Sequence, residues 1–308
     1  MSNYYNIAII GSGPAASTAG LYLGMSGQES IIMFSGEVPG GQLTTTNIVD
    51  NYPGIQDISG IELSDKFMDH SKKYVPIVFE TIISIEKKNN IFILTTQNNI
   101  VYSCKYLIIA SGSCPKKLDI AKAFENKGVS YCHICDGFLF KGENVIVVGG
   151  GNSAFEAAIY LSNICKKVYL IHRNDKFKAF KELQQKAFNT SNIEILINSE
   201  ITDIKSNDEK IEYIQVTNND VGAVLNVSGI FIAIGHNPNT YFIKDIVKKN
   251  SSGYILVNRL NQCLDERIFA VGDCCVYEDG GKKFLQAVVA AAEGCNAALH
   301  LIDLINKE

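Results

Sequence analysis

The chain has 308 residues, 46% hydrophobic and 19% charged, enough apolar side chain for one large or two medium domains and too much for a disordered polymer. Its formal net charge of −4 argues against polyanion binding, and the basic pair Lys248-Lys249 runs into Asn250 and Ser251 like a solvated face, so no nucleic-acid partner is expected. No stretch reads as long and apolar enough to span a membrane, and "MSNYYNIAII" enters an apolar strand too soon for a leader peptide, so a cytoplasmic location with mostly reduced cysteines is the expectation.

The first predicted elements are a strand, a glycine turn and a helix, in "NIAIIGSGPAASTAGLYLGMSG". Gly11, Gly13 and Ala16 fit the G-x-G-x-x-G/A pattern: a glycine for the tight turn, one for backbone approach to a pyrophosphate, and a small residue for close helix–strand packing. The amide end of the helix then faces the phosphates. The second strand ends in "IIMFSGEVPGGQLTTT", with Ser35 where a nicotinamide site usually has an acid and Glu37 two residues on. The loop Gly36–Gln42, rich in backbone amides, suits FAD better than a second nicotinamide cofactor.

After "YLIIASGSCPK" comes "YCHICDGF", then a second strand–turn–helix–strand, "NVIVVGGGNSAFEAAIYLSNICKKVYLIHR", with Gly149, Gly151 and Ala154 at the fingerprint positions. A closing strand, "GIFIAIGHNPN", echoes "YLIIASGSCPK". The repeat predicts an α/β protein with two Rossmann-like dinucleotide-binding domains. The C-terminal tail lacks a fingerprint of its own and so completes the first domain. The expected division is therefore residues 1–113 with 239–308, interrupted by an inserted domain at 114–238 whose linkers carry Pro115 and Pro238. At the end of the second domain's second strand stand His172, Arg173 and, further on, Lys178, with no carboxylate at the strand end, a pattern that favours the 2′-phosphate of NADPH. The tail helix is expected from about Gln286, interrupted by Gly294.

Cys132 and Cys135 lie shortly before the second fingerprint. A zinc site would need a second pair; Cys274-Cys275 are adjacent and His133 lies inside the motif, so the spacing is wrong. A reducing compartment disfavours a purely structural disulfide, which leaves a redox dithiol. Asp136, one residue on, is placed to move a proton when a thiolate leaves, or else to cap a helix start. The other seven cysteines read as packing residues. Phe138-Leu139-Phe140 reads either as the start of a buried strand or as a hydrophobic foothold for a partner.

Taken together, the two fingerprints, C-x-x-C-D-G before the second, "GGQLTTT" after the first and G-D with "QA" near the end resemble the low-molecular-weight thioredoxin reductases over essentially the whole chain. The resemblance implies a homodimeric NADPH-dependent flavoenzyme with thioredoxin as its partner. It implies that Gly11, Gly13, Pro14 and Ala15 meet the FAD pyrophosphate. Ser35, Gly36, Gly41 and Gln42 would follow the adenosine side with Asn51 nearby, Asp273 the ribityl chain, and Gln286 and Ala287 the flavin edge. Gly151, Asn152, Ser153 and Ala154, with His172, Arg173 and Lys178, would hold NADPH. Cys135 would be the sulfur nearest the flavin, Cys132 the nucleophile toward thioredoxin, and Asp136 the acid/base. Three features depart from the family pattern: Asn174 and Lys178 replace two arginines, Leu285 stands where an arginine usually precedes "QA", and the loop Cys274–Lys283 is longer. Rival readings are a flavin-dependent dithiol oxidase, a ferredoxin-linked reductase on the same scaffold, and a non-enzymatic nucleotide or redox sensor.

Overall fold

A computed structural model describes residues 3–36, 39–46, 48–125, 127–207, 210–218 and 221–308. The chain divides into two compact units, Met1–Cys114 with Asn237–Glu308, and Pro115–His236. In the first, the apolar run ending the Tyr4–Ile10 strand lies buried between two parallel neighbours, Ile31–Phe34 and Val101–Ile109. A strand covered on both faces has no use for alternation, which is why Ile7, Ala8, Ile9 and Ile10 are all apolar. The sheet runs in the order Ile77–Val78, Ile31–Phe34, Tyr4–Ile10, Val101–Ile109, Ile91–Thr96, Ile82–Lys88, and Ile268–Ala270 also pairs with Val101–Ile109. The last three strands of that order form an antiparallel meander, while Ile268–Ala270, from the tail, pairs in parallel.

Helices Pro14–Met25 and Ala287–Ile305 pack on one face of this sheet. Gly294 does not interrupt the second helix as the sequence suggested; the helix is continuous for 19 residues. A Cβ at Gly294 would stand 2.2 Å from the Ala15 carbonyl oxygen, so the glycine is there for close helix approach. The same helix corrects the membrane reading, because its mean hydropathy of 1.5 over such a length meets the requirement for a span. Ala291, Gly294, Ala297, Ala298 and Leu301 form its buried face, which core packing explains, while Val288 and Leu299 are apolar and exposed.

The second unit has a five-stranded parallel sheet in the order Val129–Ser130, Gly229–Ile232, Asn144–Val148, Lys167–Ile171, Ile193–Leu196. An antiparallel meander of Ser199–Ser206, Ile211–Asn218 and Val221–Leu225 follows. Both units are thus Rossmann-type α/β, as the internal repeat predicted. Each carries a glycine turn at the C-terminal end of a central parallel strand, where such sheets bind ligands.

Candidate functional site

At the first turn Gly11 has φ +119°, and a Cβ there would lie 2.2 Å from the Ala110 carbonyl oxygen, so no other residue fits. Gly13 is the N-cap of the Pro14–Met25 helix with no side chain capping it, and Pro14 takes the position where a missing N–H costs nothing. The uncapped amides at this end, with the helix dipole behind them, suit an anion. Gly41 faces Gly13, since a Cβ on Gly41 would be 3.3 Å from the Gly13 Cα, leaving a cradle of bare backbone.

Polar side chains fasten the surrounding loops to this turn. The Ser12 hydroxyl donates to the Ser35 carbonyl at 3.2 Å and accepts the Gly40 N–H at 2.9 Å. Ser35 donates to the Gly36 carbonyl at 2.9 Å. Gln42 Nε2 donates to Asp273 Oδ2 at 2.9 Å, and Asn51 Nδ2 donates to Gln286 Oε1 at 3.2 Å, where Gln286 caps the helix that Ala287 begins. Gly272 closes the ring: a Cβ on it would touch those of Ala15 and Ala290 at 3.2 and 3.8 Å. Burial raises the Asp273 pKa to about 6, with Glu293 adding to the rise and Lys283 and Gln42 opposing it. The fold therefore gathers Gly11, Gly13, Pro14, Ala15, Ser35, Gly36, Gly41, Gln42 and Asp273 around one turn, while Asn51 and Gln286 meet each other at the start of the C-terminal helix, where Ala287 packs on the cluster that holds Leu43 and Val49. Glu37 lies outside the described residues.

At the second turn Gly149 has φ +151°, and a Cβ there would be 2.4 Å from the Ala233 carbonyl oxygen. Gly151 caps the Asn152–Ser162 helix, again without a capping side chain, and a Cβ on it would meet nothing within 4 Å. The loop after Lys167–Ile171 folds back on this turn. The backbone N–H of Lys178 donates to the Gly150 carbonyl at 2.8 Å, and Asn152 Oδ1 accepts the Phe180 N–H at 2.8 Å. The His172 ring lies on Gly150, where a Cβ would come within 2.3 Å of it, and its Nε2 sits 3.1 Å from the Lys176 carbonyl oxygen. His172 is thus part of the floor of the turn, whereas the side chains of Arg173 and Lys178 are exposed. Ser153 is exposed and Ala154 buried on the helix's first turn. The carboxylate of Glu156, one turn along that helix, acts on His133.

Cys132 and Cys135 form a disulfide with Cα atoms 5.3 Å apart. Cys132 is the N-cap of the His133–Asp136 turn, its sulfur accepting the Cys135 N–H at 3.2 Å. Asp136 therefore ends the turn and does not cap its start. Ser130 Oγ accepts the Cys132 N–H at 3.0 Å and donates to Asp136 Oδ2 at 2.6 Å. Burial raises the Asp136 pKa above the usual carboxylate value, and the Ser130 bond offsets part of that rise. Gly137 seats the segment against the Asn152–Ser162 helix, where a Cβ would meet Leu161 at 3.0 Å. The following residues form a 3₁₀ turn, Gly137–Phe140, not a strand; Phe138 and Leu139 are exposed, while Phe140 packs on Phe231. Among the described residues no group of three or more His, Cys, Asp or Glu could hold a metal.

The remaining cysteines divide differently from the sequence reading. Cys104, Cys165, Cys263, Cys274 and Cys275 are buried, but Cys295 is half-buried and Cys114 is exposed. Sequence reasoning also missed Ser12, Gly40, Lys283 and Glu293. A carboxylate on the apolar, small-residue helix of the tail was the available signal for the last.

Residues 5–294 match the family described as pyridine nucleotide-disulphide oxidoreductase. The chain is 42% identical to the thioredoxin reductase of Borreliella burgdorferi, across 96% of this chain and 90% of that one. It is 38% identical to the thioredoxin reductase of Spironucleus barkhanus, across 95% of this chain and 96% of the other. The crystal structure of a Streptococcus pyogenes thioredoxin reductase superimposes with a TM-score of 0.91 at 32% identity, covering the whole of both chains.

Proposed function

The chain belongs to the pyridine nucleotide-disulphide oxidoreductase family, and on that premise we propose that it carries electrons from NADPH through FAD to Cys132–Cys135 and on to the disulfide of thioredoxin. The observation that carries this reading is a disulfide-forming C-x-x-C, with a carboxylate one residue on, in a chain that has two glycine turns of the dinucleotide type.

The first unit fits FAD. Its uncapped helix amides and the bare Gly13–Gly41 cradle suit a pyrophosphate, and Gln42, Asn51, Asp273 and Gln286 offer hydrogen-bonding groups on the same side. Gly11, Pro14, Ala15, Ser35, Gly36 and Ala287 complete that wall. In the second unit Gly151, Asn152, Ser153 and Ala154 offer the amide end of a helix, and Arg173 and Lys178 stand exposed beside it to pair with a 2′-phosphate. When bound, FAD accepts a hydride from the nicotinamide and passes two electrons to a disulfide.

The chain's own residues do the rest. Two electrons and two protons convert the Cys132–Cys135 disulfide to a dithiol. Cys132, as thiolate, attacks one sulfur of the thioredoxin disulfide and displaces the other as a thiolate, forming a mixed disulfide. Cys135 then attacks Cys132, releases dithiol thioredoxin and restores the starting bond. Asp136 holds a proton more tightly than an ordinary carboxyl, which suits it to quench the leaving thiolate and to take the proton back. The active species is a homodimer acting in the cytoplasm.

NADPH consumption followed with oxygen uptake tests this reading. NADPH loss that requires oxidised thioredoxin and consumes no oxygen supports it. Loss matched by oxygen uptake without thioredoxin makes the protein the dithiol oxidase instead.

A further inference from the structure

The loop from Cys274 to Lys283 returns to the Gly272 turn through a buried ion pair. Lys283 Nζ lies 2.8 Å from Glu293 Oε2, and both side chains are only 4% exposed. Burying two charges is costly, and an apolar pair of the same volume would often serve stability as well or better. What the charges do is converge on one residue, Gly272, taking the peptide on either side of it. Glu293 Oε2 accepts the Gly272 N–H at 2.7 Å, while Lys283 Nζ donates to the Gly272 carbonyl. The third Lys283 proton goes to Cys275 Sγ at 3.0 Å, so the ammonium is fully engaged. Tyr277 OH donates to the other Glu293 oxygen at 3.3 Å. Gly272 itself has φ +70°, and its neighbour Asp273 takes the Gln42 amide at 2.9 Å.

We propose that Lys283 and Glu293 are positioning residues for the flavin site: they clamp the two peptides that flank the Gly272 Cα, Glu293 at the Gly272 N–H and Lys283 at the Gly272 carbonyl, and so hold the Asp273 carboxylate toward the ribityl chain. The inference rests on the reading that Asp273 faces FAD. Burial alone would lower the Lys283 pKa; Cys275 and Glu293 outweigh it and keep the amine charged. The groups facing Asp273 are Gln42, Lys283, Glu293 and Tyr254, and of the two charges Lys283 acts on it more strongly than Glu293.

The test measures FAD affinity of the full-length apoprotein, by flavin fluorescence across pH, for the parent, Asp273→Asn, the Lys283→Met/Glu293→Gln double variant and the triple variant. The double variant leaves no unpaired buried charge. It is expected to bind FAD at least tenfold more weakly. Its pH midpoint should shift upward, because the stronger influence on Asp273, that of Lys283, is gone. Asp273→Asn should add almost nothing in that background, since the clamp acts through Asp273. A double variant within twofold of the parent, an unmoved midpoint, or a full Asp273→Asn penalty in the triple variant overturns the inference. An Asp273→Asn single variant that binds FAD like the parent overturns the underlying reading of the site instead. Should circular dichroism show the double variant unfolded, Glu293→Asp keeps the charge but withdraws it from Gly272. Weakened FAD binding then supports the clamp, and parental binding overturns it.

Discussion

The two glycine turns have the same backbone plan and very different surroundings. Around Gly11–Ala16, loops from distant parts of the first unit are tied down by Ser12, Gln42, Asn51 and Gln286, and the C-terminal helix closes in through Gly294. Around Gly149–Ala154 a single loop folds back, Gly151 faces open space, and the cationic side chains of Arg173 and Lys178 are exposed. A site with many polar groups fixed by cross-links suits a cofactor that stays; a site with few such links and exposed charge suits a nucleotide that comes and goes at each turnover. On the proposed reading the same fingerprint serves a resident group in the first unit and a co-substrate in the second, and the difference lies in what packs around it.

Five changes sharpen or break that contrast. The largest effect is expected from Cys135→Ser, which touches neither turn. Thioredoxin reduction should fall on the order of a thousandfold or more, while flavin content and the bleaching of the flavin by NADPH persist. Loss of flavin from this variant would mean that the cysteine pair and the first turn are not separable.

Next, Gly11→Ala and Gly151→Ala put the same methyl on equivalent turns. At Gly11 it meets the Ala110 carbonyl at 2.2 Å in a left-handed backbone, so a loss of about 2–4 kcal/mol and failure to retain FAD are expected. At Gly151, where φ is −98° and no atom lies within 4 Å, thermal stability should change by less than about 0.5 kcal/mol. Equal effects on melting and flavin content would erase the distinction between the turns.

Asp136→Asn should slow thioredoxin reduction roughly a hundredfold by removing the proton carrier. The pH dependence of stability gives an independent check. Because burial raises the Asp136 pKa, the folded state favours the protonated form. Its stabilising contribution is complete below the unfolded carboxyl value of about 3.9 and is lost as pH rises through the raised folded value. The asparagine variant should therefore match the parent near pH 4 and be more stable at neutral pH; the reverse order, seen in melting curves, contradicts the burial argument.

The smallest effect comes from Arg173→Ala, expected to raise KM for NADPH roughly tenfold and to leave KM for NADH unchanged. An equal rise for both nucleotides would show that Arg173 does not read the 2′-phosphate.

Much of the first turn was legible because Gly11 and Gly13 answer to backbone geometry, which sequence states directly. The paired cysteines were legible for a similar reason, their chemistry being local to four residues. Contacts that depend on distant segments were not. Lys283 entered only as the end of a longer loop and Glu293 was not singled out, since only the fold brings both to Gly272. Gly294 read as a break because a helical glycine signals weakness until the Ala15 carbonyl is known to lie against it. His172 was grouped with Arg173 by sequence adjacency, but alternation along the end of a strand sends neighbouring side chains different ways, and its ring packs on Gly150. The apolar C-terminal helix escaped notice as a membrane-length segment because Gly294 was read as interrupting it, whereas it runs unbroken and packs against the Pro14–Met25 helix.

The proposed electron path runs from nicotinamide to thioredoxin through a flavin and the Cys132–Cys135 pair. An anaerobic visible spectrum tests it most directly: the purified protein is titrated with NADPH and oxidised thioredoxin is then added. A yellow protein that bleaches with NADPH and regains its colour with thioredoxin is expected, as is a Cys135→Ser variant that bleaches but does not recover. A protein whose flavin NADPH cannot bleach, or whose colour returns with thioredoxin despite the Cys135→Ser change, contradicts it.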